Sequence, residues 1–198
     1  MVGLAYIRLN SLDSRYDPAQ AAQYLSRAAA AGSAEAQFEL GQLYEIGLGV
    51  EQDVEKAVDL YKTAASVDFA DAINDLGFLY FQGGLGIVRD PAKALTFFER
   101  AANLRHPQAM YNYAALIDDG LVAGKGPLEA GDFLYQSLRA GSAEVYELLR
   151  DRPTMFKLET RQALQSKLSQ NAFYSGVIDG DFGPATRRGL RSAYGLEE

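Results

Sequence analysis

The sequence predicts an all-α protein, in which a superhelix of stacked helix pairs precedes a small helical module. Three observations support this prediction. The segment L-G-x-L-Y that begins at Leu40 begins again at Leu76, 36 residues later, and self-similarity at such a period is typical of repeat arrays. Alanine is abundant while valine and isoleucine are sparse, which favours helices. The Asp-Pro pairs at Asp17 and Asp90 are typical helix starts.

Helical units follow one another along the chain. The first shows mainly its second helix, which starts at Pro18 and ends at Gly32. The second unit covers 34–70, and its spacing predicts helix A over 34–46 and helix B over 54–66, with Asp53 as the N-cap. The third unit, 71–107, repeats this plan. The fourth, 108–142, is degenerate, and a helix over 143–150 is half a unit that covers the end of the stack.

The recurring residues of these units have packing roles. A glycine in the middle of helix A costs about 0.5–1 kcal/mol relative to alanine, so its recurrence at Gly41 and Gly77 indicates that helix B approaches closely there. In the fourth unit Ala114 replaces this glycine and Ile117 replaces the tyrosine. Gly47 is expected to form a left-handed C-cap. These positions specify a fold and carry no chemistry.

Composition excludes several classes of protein. The 198 residues are 48% hydrophobic, which is enough for a real core. The net charge of −7 argues against a general nucleic-acid binder, which needs a basic face. The absence of cysteine excludes a disulfide framework and a cysteine metal site. The longest uncharged run, 76–88, is shorter than the roughly 18–20 residues of a membrane span.

The N-terminus has neither the basic region nor the apolar core of a signal peptide. Its opening, M-V-G-L-A-Y, has the pattern expected of the end of a first repeat helix whose beginning is missing. We therefore expect the chain to be the C-terminal piece of a longer protein.

The pattern A-x-x-x-L-G-x-L-Y-x-x-G-x-G-V-x-x-D-x-x-K-A-x-x-x-Y-x-x-A-A, which runs almost complete from Ala36 to Ala65, resembles the Sel-like repeat, a relative of the tetratricopeptide repeat. The resemblance covers residues 1–151. It implies a right-handed α-superhelical scaffold that binds other proteins.

On such a superhelix, one face of each helix A would line the concave side. Four aromatic residues among acidic ones would suit a protein partner with apolar anchors and basic residues. The alternative is that several of these side chains pack against the neighbouring helix. The predicted surface consists of Glu35, Phe38, Gln42, Glu45, Asp71, Asn74, Phe78, Phe81, Gln108, Tyr111, Ala115 and Asp118.

The tail differs from the repeats. A linker at 151–154 contains Pro153, and residues 155–198 hold six basic against five acidic residues, whereas the preceding part is strongly acidic. A change of composition at such a joint predicts a domain boundary near 152, which separates 1–151 from 152–198. We expect a helix over 159–170 with Leu164, Leu168 and Gln165 turned inward, and Phe182 in the core between two helices.

The segment I-D-G-x-F-G-P-x-T from Ile178 to Thr186 resembles the small three-helix peptidoglycan-binding domain of cell-wall proteins. The usual F-Q of the last helix is missing, because Ala193-Tyr194 stands there. The alternative is that the two aspartates cap turns and the threonine bonds the backbone. The resemblance implies a peptidoglycan site at Tyr174, Ser175, Asp179, Asp181, Thr186 and Arg187.

Nothing in the sequence favours catalysis. The one histidine, His106, has no cysteine or second histidine to work with. The motifs G-x-S-x-G, H-E-x-x-H and the P-loop are absent. We therefore expect no enzyme, no metal and no cofactor in this chain.

These observations together predict a non-catalytic scaffold of the bacterial cell envelope. The repeats would bind a protein partner, and the tail would bind peptidoglycan. This order of domains is similar to the periplasmic end of polar localisation factors of the PodJ type. Two alternatives stay open: a cytoplasmic protein–protein adaptor with a vestigial tail, and the regulatory C-terminal part of a larger envelope hydrolase.

Overall fold

The structure is a computed structural model that describes residues 1–196. These residues form helices, one 3-10 turn at Pro153–Met155 and no strand, which confirms the all-α fold class. The helices are α1 (Val2–Leu9), α2 (Pro18–Ala30), α3 (Ala34–Ile46), α4 (Val54–Ser66), α5 (Ala70–Gln82), α6 (Pro91–Asn103), α7 (Pro107–Asp118), α8 (Pro127–Arg139), α9 (Ala143–Asp151), α10 (Leu158–Gln170) and α11 (Pro184–Tyr194).

The chain divides into two compact units. The N-terminal unit comprises residues 1–97, and the C-terminal unit begins at Phe98. The residues of the tail pack within the C-terminal unit, where α10 lies against α8 and α11 lies against α8, α9 and α10. The domain boundary near residue 152 stays a prediction.

In the N-terminal unit, successive helices from α1 to α5 pack on one another. The starts of α2, α3 and α4 are fixed by short polar N-cap side chains that accept the backbone N–H three residues further along the chain. Asp17 accepts from Gln20 at 2.9 Å and Asp53 accepts from Lys56 at 3.0 Å. The bounds of α3 and α4 equal the predicted ranges 34–46 and 54–66.

The glycine in the middle of α3 lets α4 approach. A Cβ atom at Gly41 would lie 2.6 Å from Cε1 of Tyr61, which is shorter than any tolerable contact. Tyr61 is almost fully buried, and its hydroxyl donates to Oε2 of Glu45 at 2.6 Å. The close approach predicted from the recurring glycine is therefore confirmed in this helix pair. Gly47 ends α3 with a φ of 71°, the predicted left-handed C-cap.

In the C-terminal unit, α8 packs between α7 and α10. A Cβ atom at Gly131 of α8 would lie 2.5 Å from Cβ of Ala163 in α10. Leu164 and Leu168 are fully buried and Phe182 is 4% exposed, which confirms their predicted inward positions. At the start of α7, Nδ1 of His106 accepts the backbone N–H of Ala109 at 3.1 Å, so the one histidine serves as an N-cap.

A buried carboxylate joins α7 to the start of α10. Asp118 is 7% exposed, and its two carboxylate oxygens accept the backbone N–H of Lys157 at 3.3 and 3.1 Å. The Lys157 ammonium group donates to the backbone carbonyl of Asp118. Because Lys157 is the N-cap residue of α10, this contact fixes where that helix begins.

Candidate functional site

Two candidate sites follow from the sequence: the predicted face of the A helices, which we call the A-helix surface, and the tail module. In α3, Glu35 is exposed and both Gln42 and Glu45 are half-buried. Phe38 is 8% exposed, because its ring packs between the rings of Tyr61 and Phe69 with centroids 5.5 Å apart in each pair. The predicted exposure of Phe38 is wrong, and this side chain has the packing role that the sequence left as the alternative.

In α5, the predicted residues include an exposed aromatic side chain, which α3 lacks. Asp71 is exposed and Phe78 is 47% exposed, which makes it the most accessible aromatic side chain of the predicted set. Phe81 is half-buried, with the Arg89 guanidinium 6.0 Å from its ring centroid. Asn74 is buried at 8% exposure, so its predicted exposure is also wrong.

In α7, the predicted surface is largely covered. Tyr111 is 6% exposed because Phe156 packs edge-on against its ring, with centroids 5.5 Å apart. Asp118 is buried by its contact with Lys157. Gln108 and Ala115 are half-buried. The predicted exposure of Tyr111 and Asp118 is wrong, because the segment that leads into α10 lies on these side chains.

A tyrosine of α1 extends the A-helix surface beyond the predicted residues. The Tyr6 hydroxyl lies 2.9 Å from Oε1 of Glu35 and 3.0 Å from Oε1 of Glu39, within hydrogen-bonding distance of both carboxylates. Burial and these two acids raise the pKa of Tyr6 above its ordinary value. Burial, followed by repulsion from Glu35 and Asp71, raises the pKa of Glu39, while the hydrogen bond from Tyr6 opposes this shift. Negative charge is therefore concentrated on this face of α3.

Sequence reasoning overlooked Tyr6 and Glu39 for an identifiable reason. Tyr6 lies outside the complete copies of the repeat pattern, and its partners are 29 and 33 residues away. Glu39 is four residues after Glu35, on the same side of α3, and this spacing is the signal that could have included it.

In the tail module, the D-G-x-F-G loop is held from inside by one buried side chain. The Nε2 group of Gln165 donates to Oδ1 of Asp179 at 3.2 Å, to the carbonyl of Asp181 at 2.8 Å and to Oγ1 of Thr186 at 3.1 Å. Its Oε1 accepts the N–H of Gly180 at 2.6 Å. The backbone N–H of Asp181, and after it the Gln165 amide, donate to the Asp179 carboxylate and hold its pKa below its ordinary value.

The other residues of the predicted peptidoglycan site have different surroundings. Tyr174 is 9% exposed, and its hydroxyl donates to the carbonyl of Val177 at 2.7 Å. Thr186 is 1% exposed and donates to the carbonyl of Asp181, while Nε of Arg187 donates to the carbonyl of Phe182 at 3.1 Å. Ser175 and Asp181 are exposed. Most of the predicted residues therefore bond the module itself, and Ser175 keeps an exposed hydroxyl.

A groove opens beside this loop, between α11 and the segment 172–176. Its volume is about 390 Å³, and its lining includes Tyr174, Ser175, Arg188 and Arg191. Asp179, Asp181, Thr186 and Arg187 do not line it. The structure thus brings two of the six predicted residues to the groove.

Residues 1–196 contain no group of three or more histidine, aspartate or glutamate side chains that could hold a metal ion. Within the same residues, no helix is both long and apolar enough to span a bilayer.

The comparisons with known proteins agree on the repeat part of the chain. A model of the Sel1 repeat matches residues 1–33, 34–68, 70–106 and 107–142. No curated protein matches the chain.

Solved structures of similar fold include the following two. One is c5321, a protective antigen of uropathogenic Escherichia coli with an SLR fold, which is 24% identical with a TM-score of 0.64. The match covers 86% of this chain and 37% of that antigen, so the chain spans little more than a third of its length. The other is a Sel1 repeat protein from Oxalobacter formigenes, 28% identical with a TM-score of 0.59, over 65% of this chain and 96% of that one.

Proposed function

The chain belongs to the Sel1 repeat family, and we propose that it is a non-catalytic scaffold of the bacterial cell envelope. Sel1 repeat proteins are generally scaffolds for protein interactions, and protein partners are therefore expected here. We place the protein in the periplasm, where the A-helix surface of the N-terminal unit would bind a protein and the tail module would meet peptidoglycan. A role in polar localisation is part of the same proposal.

The observation that carries the proposal is the composition of the A-helix surface in α1, α3 and α5. Phe78 is nearly half exposed in the middle of α5, where burial on a partner would remove apolar area from water. Tyr6, Glu35 and Glu39 form a polar, negatively charged part of the same kind of face. An apolar anchor beside carboxylates suits a partner segment with apolar and basic residues.

The proposed binding of a protein partner is tested by substitution of Phe78. The full chain is immobilised, and proteins retained from an envelope extract of its natural host are quantified by mass spectrometry. We expect Phe78→Ala to reduce the specifically retained partner about tenfold, as for an anchor residue at an interface. Val67→Ala, which changes an even more exposed apolar residue outside this surface, should leave retention unchanged. Equal retention by both variants would contradict the proposal.

Tyr111 is not a suitable test of binding. Its ring is buried against Phe156, so Tyr111→Ala would create a cavity in the C-terminal unit and weaken folding. Phe78→Ala is better suited, because nearly half of this side chain is exposed, whereas Tyr111 is almost completely buried.

The wall-binding half is tested by co-sedimentation of the full chain with purified sacculi. The support for this half is the groove beside α11, which offers polar side chains to a ligand. We expect the chain to sediment with sacculi at low salt, and less so at high salt because ionic contacts are screened.

The closed hydrogen-bond network around Gln165 favours a second candidate, a protein–protein adaptor whose tail module is only a folded end. A chain that stays in the supernatant at low salt, while Phe78→Ala still loses its partner, would establish that second candidate in place of the wall scaffold.

A further inference from the structure

A segment of this chain lies on the A-helix surface of α7. Phe156, which is 4% exposed, packs edge-on against the Tyr111 ring with centroids 5.5 Å apart. The Tyr111 hydroxyl donates to the sulfur of Met155 at 3.9 Å. The backbone N–H of Lys157 donates to the Asp118 carboxylate at 3.1 Å, and the Lys157 ammonium group donates to the Asp118 carbonyl. One A helix of this protein therefore binds a peptide segment within the folded chain.

The bound segment, residues 152–157, is extended at its last two residues and basic at both ends. Phe156 has a φ of −101° and a ψ of 147°, and Lys157 has a φ of −60° and a ψ of 160°, so neither is helical. The sequence R-P-T-M-F-K places an arginine and a lysine on either side of two apolar residues. Arg152 lies close enough to Tyr111 to oppose the rise that burial causes in the pKa of Tyr111. The segment therefore combines an aromatic anchor with flanking basic groups.

The A helices of the N-terminal unit have the complementary chemistry. Neither α3 nor α5 contains a lysine or an arginine, whereas α3 contains three glutamates. Glu35 is exposed and Glu39 is half-buried, and neither forms an ion pair within residues 1–196. Phe78 of α5 is 47% exposed. An apolar ring and carboxylates without a basic partner are therefore accessible on this part of the A-helix surface.

The two glutamates share a single hydrogen-bond donor. The Tyr6 hydroxyl lies 2.9 Å from an oxygen of Glu35 and 3.0 Å from an oxygen of Glu39. A hydroxyl has one proton, so it donates to only one of these carboxylates at a time. Repulsion from Glu35 and from Asp71 of α5 also contributes to the raised pKa of Glu39. A lysine or arginine from a partner would supply the missing donors and offset this repulsion.

We propose that the A-helix surface of the N-terminal unit binds an extended protein segment in which basic residues flank an aromatic residue. The aromatic ring packs on Phe78, and a basic side chain pairs with Glu35 and Glu39. Residues 152–157 are the internal counterpart of this ligand, bound to α7. The proposal rests on the protein-binding role proposed above and names the chemistry of the partner.

The test uses the full chain and a fluorescent synthetic peptide with the sequence of residues 152–158, R-P-T-M-F-K-L, with both ends blocked. Its binding is measured by fluorescence anisotropy at low salt, and the wild-type chain should bind it. Phe78→Ala should weaken binding about tenfold, as for an anchor residue. Val67→Ala, which truncates an exposed apolar residue outside the A-helix surface, should bind the peptide as wild type does.

The carboxylates are tested by the double variant Glu35→Gln with Glu39→Gln, which removes two charges and keeps an acceptor oxygen for Tyr6 at each position. We expect the affinity to fall by at least about tenfold at low salt, and by less at high salt where the charges are screened. Glu51→Gln with Glu55→Gln removes the same charge from two exposed positions outside this surface and should leave the affinity unchanged. Thermal unfolding shows that each variant is folded.

Peptides with Phe156→Ala, or with Arg152→Gln and Lys157→Gln, should bind wild type as weakly as the unchanged peptide binds the variants of the chain. Equal affinity of wild type, Phe78→Ala and the double variant would overturn the proposal. If the peptide fails to bind while retention from the envelope extract still depends on Phe78, the protein-binding role stands and this partner chemistry is wrong. If the peptide binds as expected but no extract protein depends on Phe78, the partner chemistry stands and the envelope role fails.

Discussion

Repeat two (34–68) and repeat four (107–142) use their glycines differently. In repeat two, Gly41 gives room to the Tyr61 ring of its own second helix. In repeat four the same two positions hold Ala114 and Leu134, both buried, and the glycine is Gly131, which gives room to α10 of the tail module. In repeat two the glycine allows α3 and α4 of the same repeat to approach closely, whereas in repeat four it allows α8 to approach α10 of the tail. Repeat four thus packs against a helix that is not part of the repeat pattern.

The polar positions show the same shift. Glu45 of repeat two accepts the hydroxyl of Tyr61. The counterpart of Glu45 in repeat four is Asp118, and the counterpart of Tyr61 is Leu134, which has no hydroxyl to donate. The Asp118 carboxylate instead accepts the Lys157 N–H at the start of α10. Glu35 and Glu39 correspond to the neutral residues Gln108 and Asn112. The charged, accessible face therefore belongs to repeat two, whereas repeat four supports the tail.

The largest effect should come from Gly131→Val. Its Cβ atom would lie 2.5 Å from Cβ of Ala163 and 2.9 Å from the backbone nitrogen of Leu164. Since the backbone of α10 cannot yield locally, we expect the free energy of unfolding to fall by about 3 kcal/mol. Urea denaturation measures this change. Gly3→Val, at a helical glycine of α1 whose added Cβ would meet nothing within 4 Å, controls for the effect of valine on a helix backbone alone, and an equal loss there would contradict the proposed contact.

The next effect tests whether repeat two can adopt the packing of repeat four. Gly41→Ala should destabilise the chain by about 1–2 kcal/mol, because its Cβ would meet the Tyr61 ring. Gly41→Ala combined with Tyr61→Leu reproduces the pair Ala114 and Leu134. In a double-mutant cycle we expect a favourable coupling of about 1 kcal/mol between the two changes. Strictly additive losses would show that the two positions do not form a packing pair.

A smaller and more local effect is expected at Asp118. Asp118→Ala leaves the backbone N–H of Lys157 without its acceptor in a partly buried contact, at a cost of about 1–2 kcal/mol. Asp118→Asn keeps one acceptor oxygen and should lose less. Hydrogen exchange should become faster at the start of α10 in Asp118→Ala and stay unchanged there in Glu45→Ala. Equal exchange at α10 in both variants would remove the distinction between the two carboxylates.

The smallest effect concerns the charge of repeat two. Because the pKa of Glu39 is raised above its ordinary value of 4.5 in the folded chain, folding favours the protonated carboxyl group, and stability falls as pH rises through and above that value. Glu39→Gln should therefore stabilise the chain at pH 7 by a few tenths of a kcal/mol, because solvent screens this half-exposed group.

The gain should disappear near pH 4, where Glu39 of the wild type is protonated too. Thermal unfolding at pH 4 and pH 7 checks this prediction. Glu55→Gln changes an exposed acid of α4 outside this surface and serves as the control. A gain that is independent of pH, or that is equal in the control, would contradict the role of local repulsion.

Local sequence determined much of this protein. The N-caps, the left-handed Gly47 and the apolar spacing of α3 and α4 depend on residues a few positions apart, so the bounds of these helices could be predicted. The close approach at Gly41 could also be predicted, because the same pattern recurs in another copy.

Which residues of the predicted surface are accessible to a partner depends on contacts between distant parts of the chain. Tyr111 and Asp118 are covered by Phe156 and Lys157, which lie 45 and 39 residues further along the chain. The loop around Asp179 is closed by Gln165 from another helix. Such contacts depend on how helices with no common pattern pack together, and periodicity within one helix does not specify them. The groove beside α11 arises in the same way, from two segments whose approach depends on Gly189.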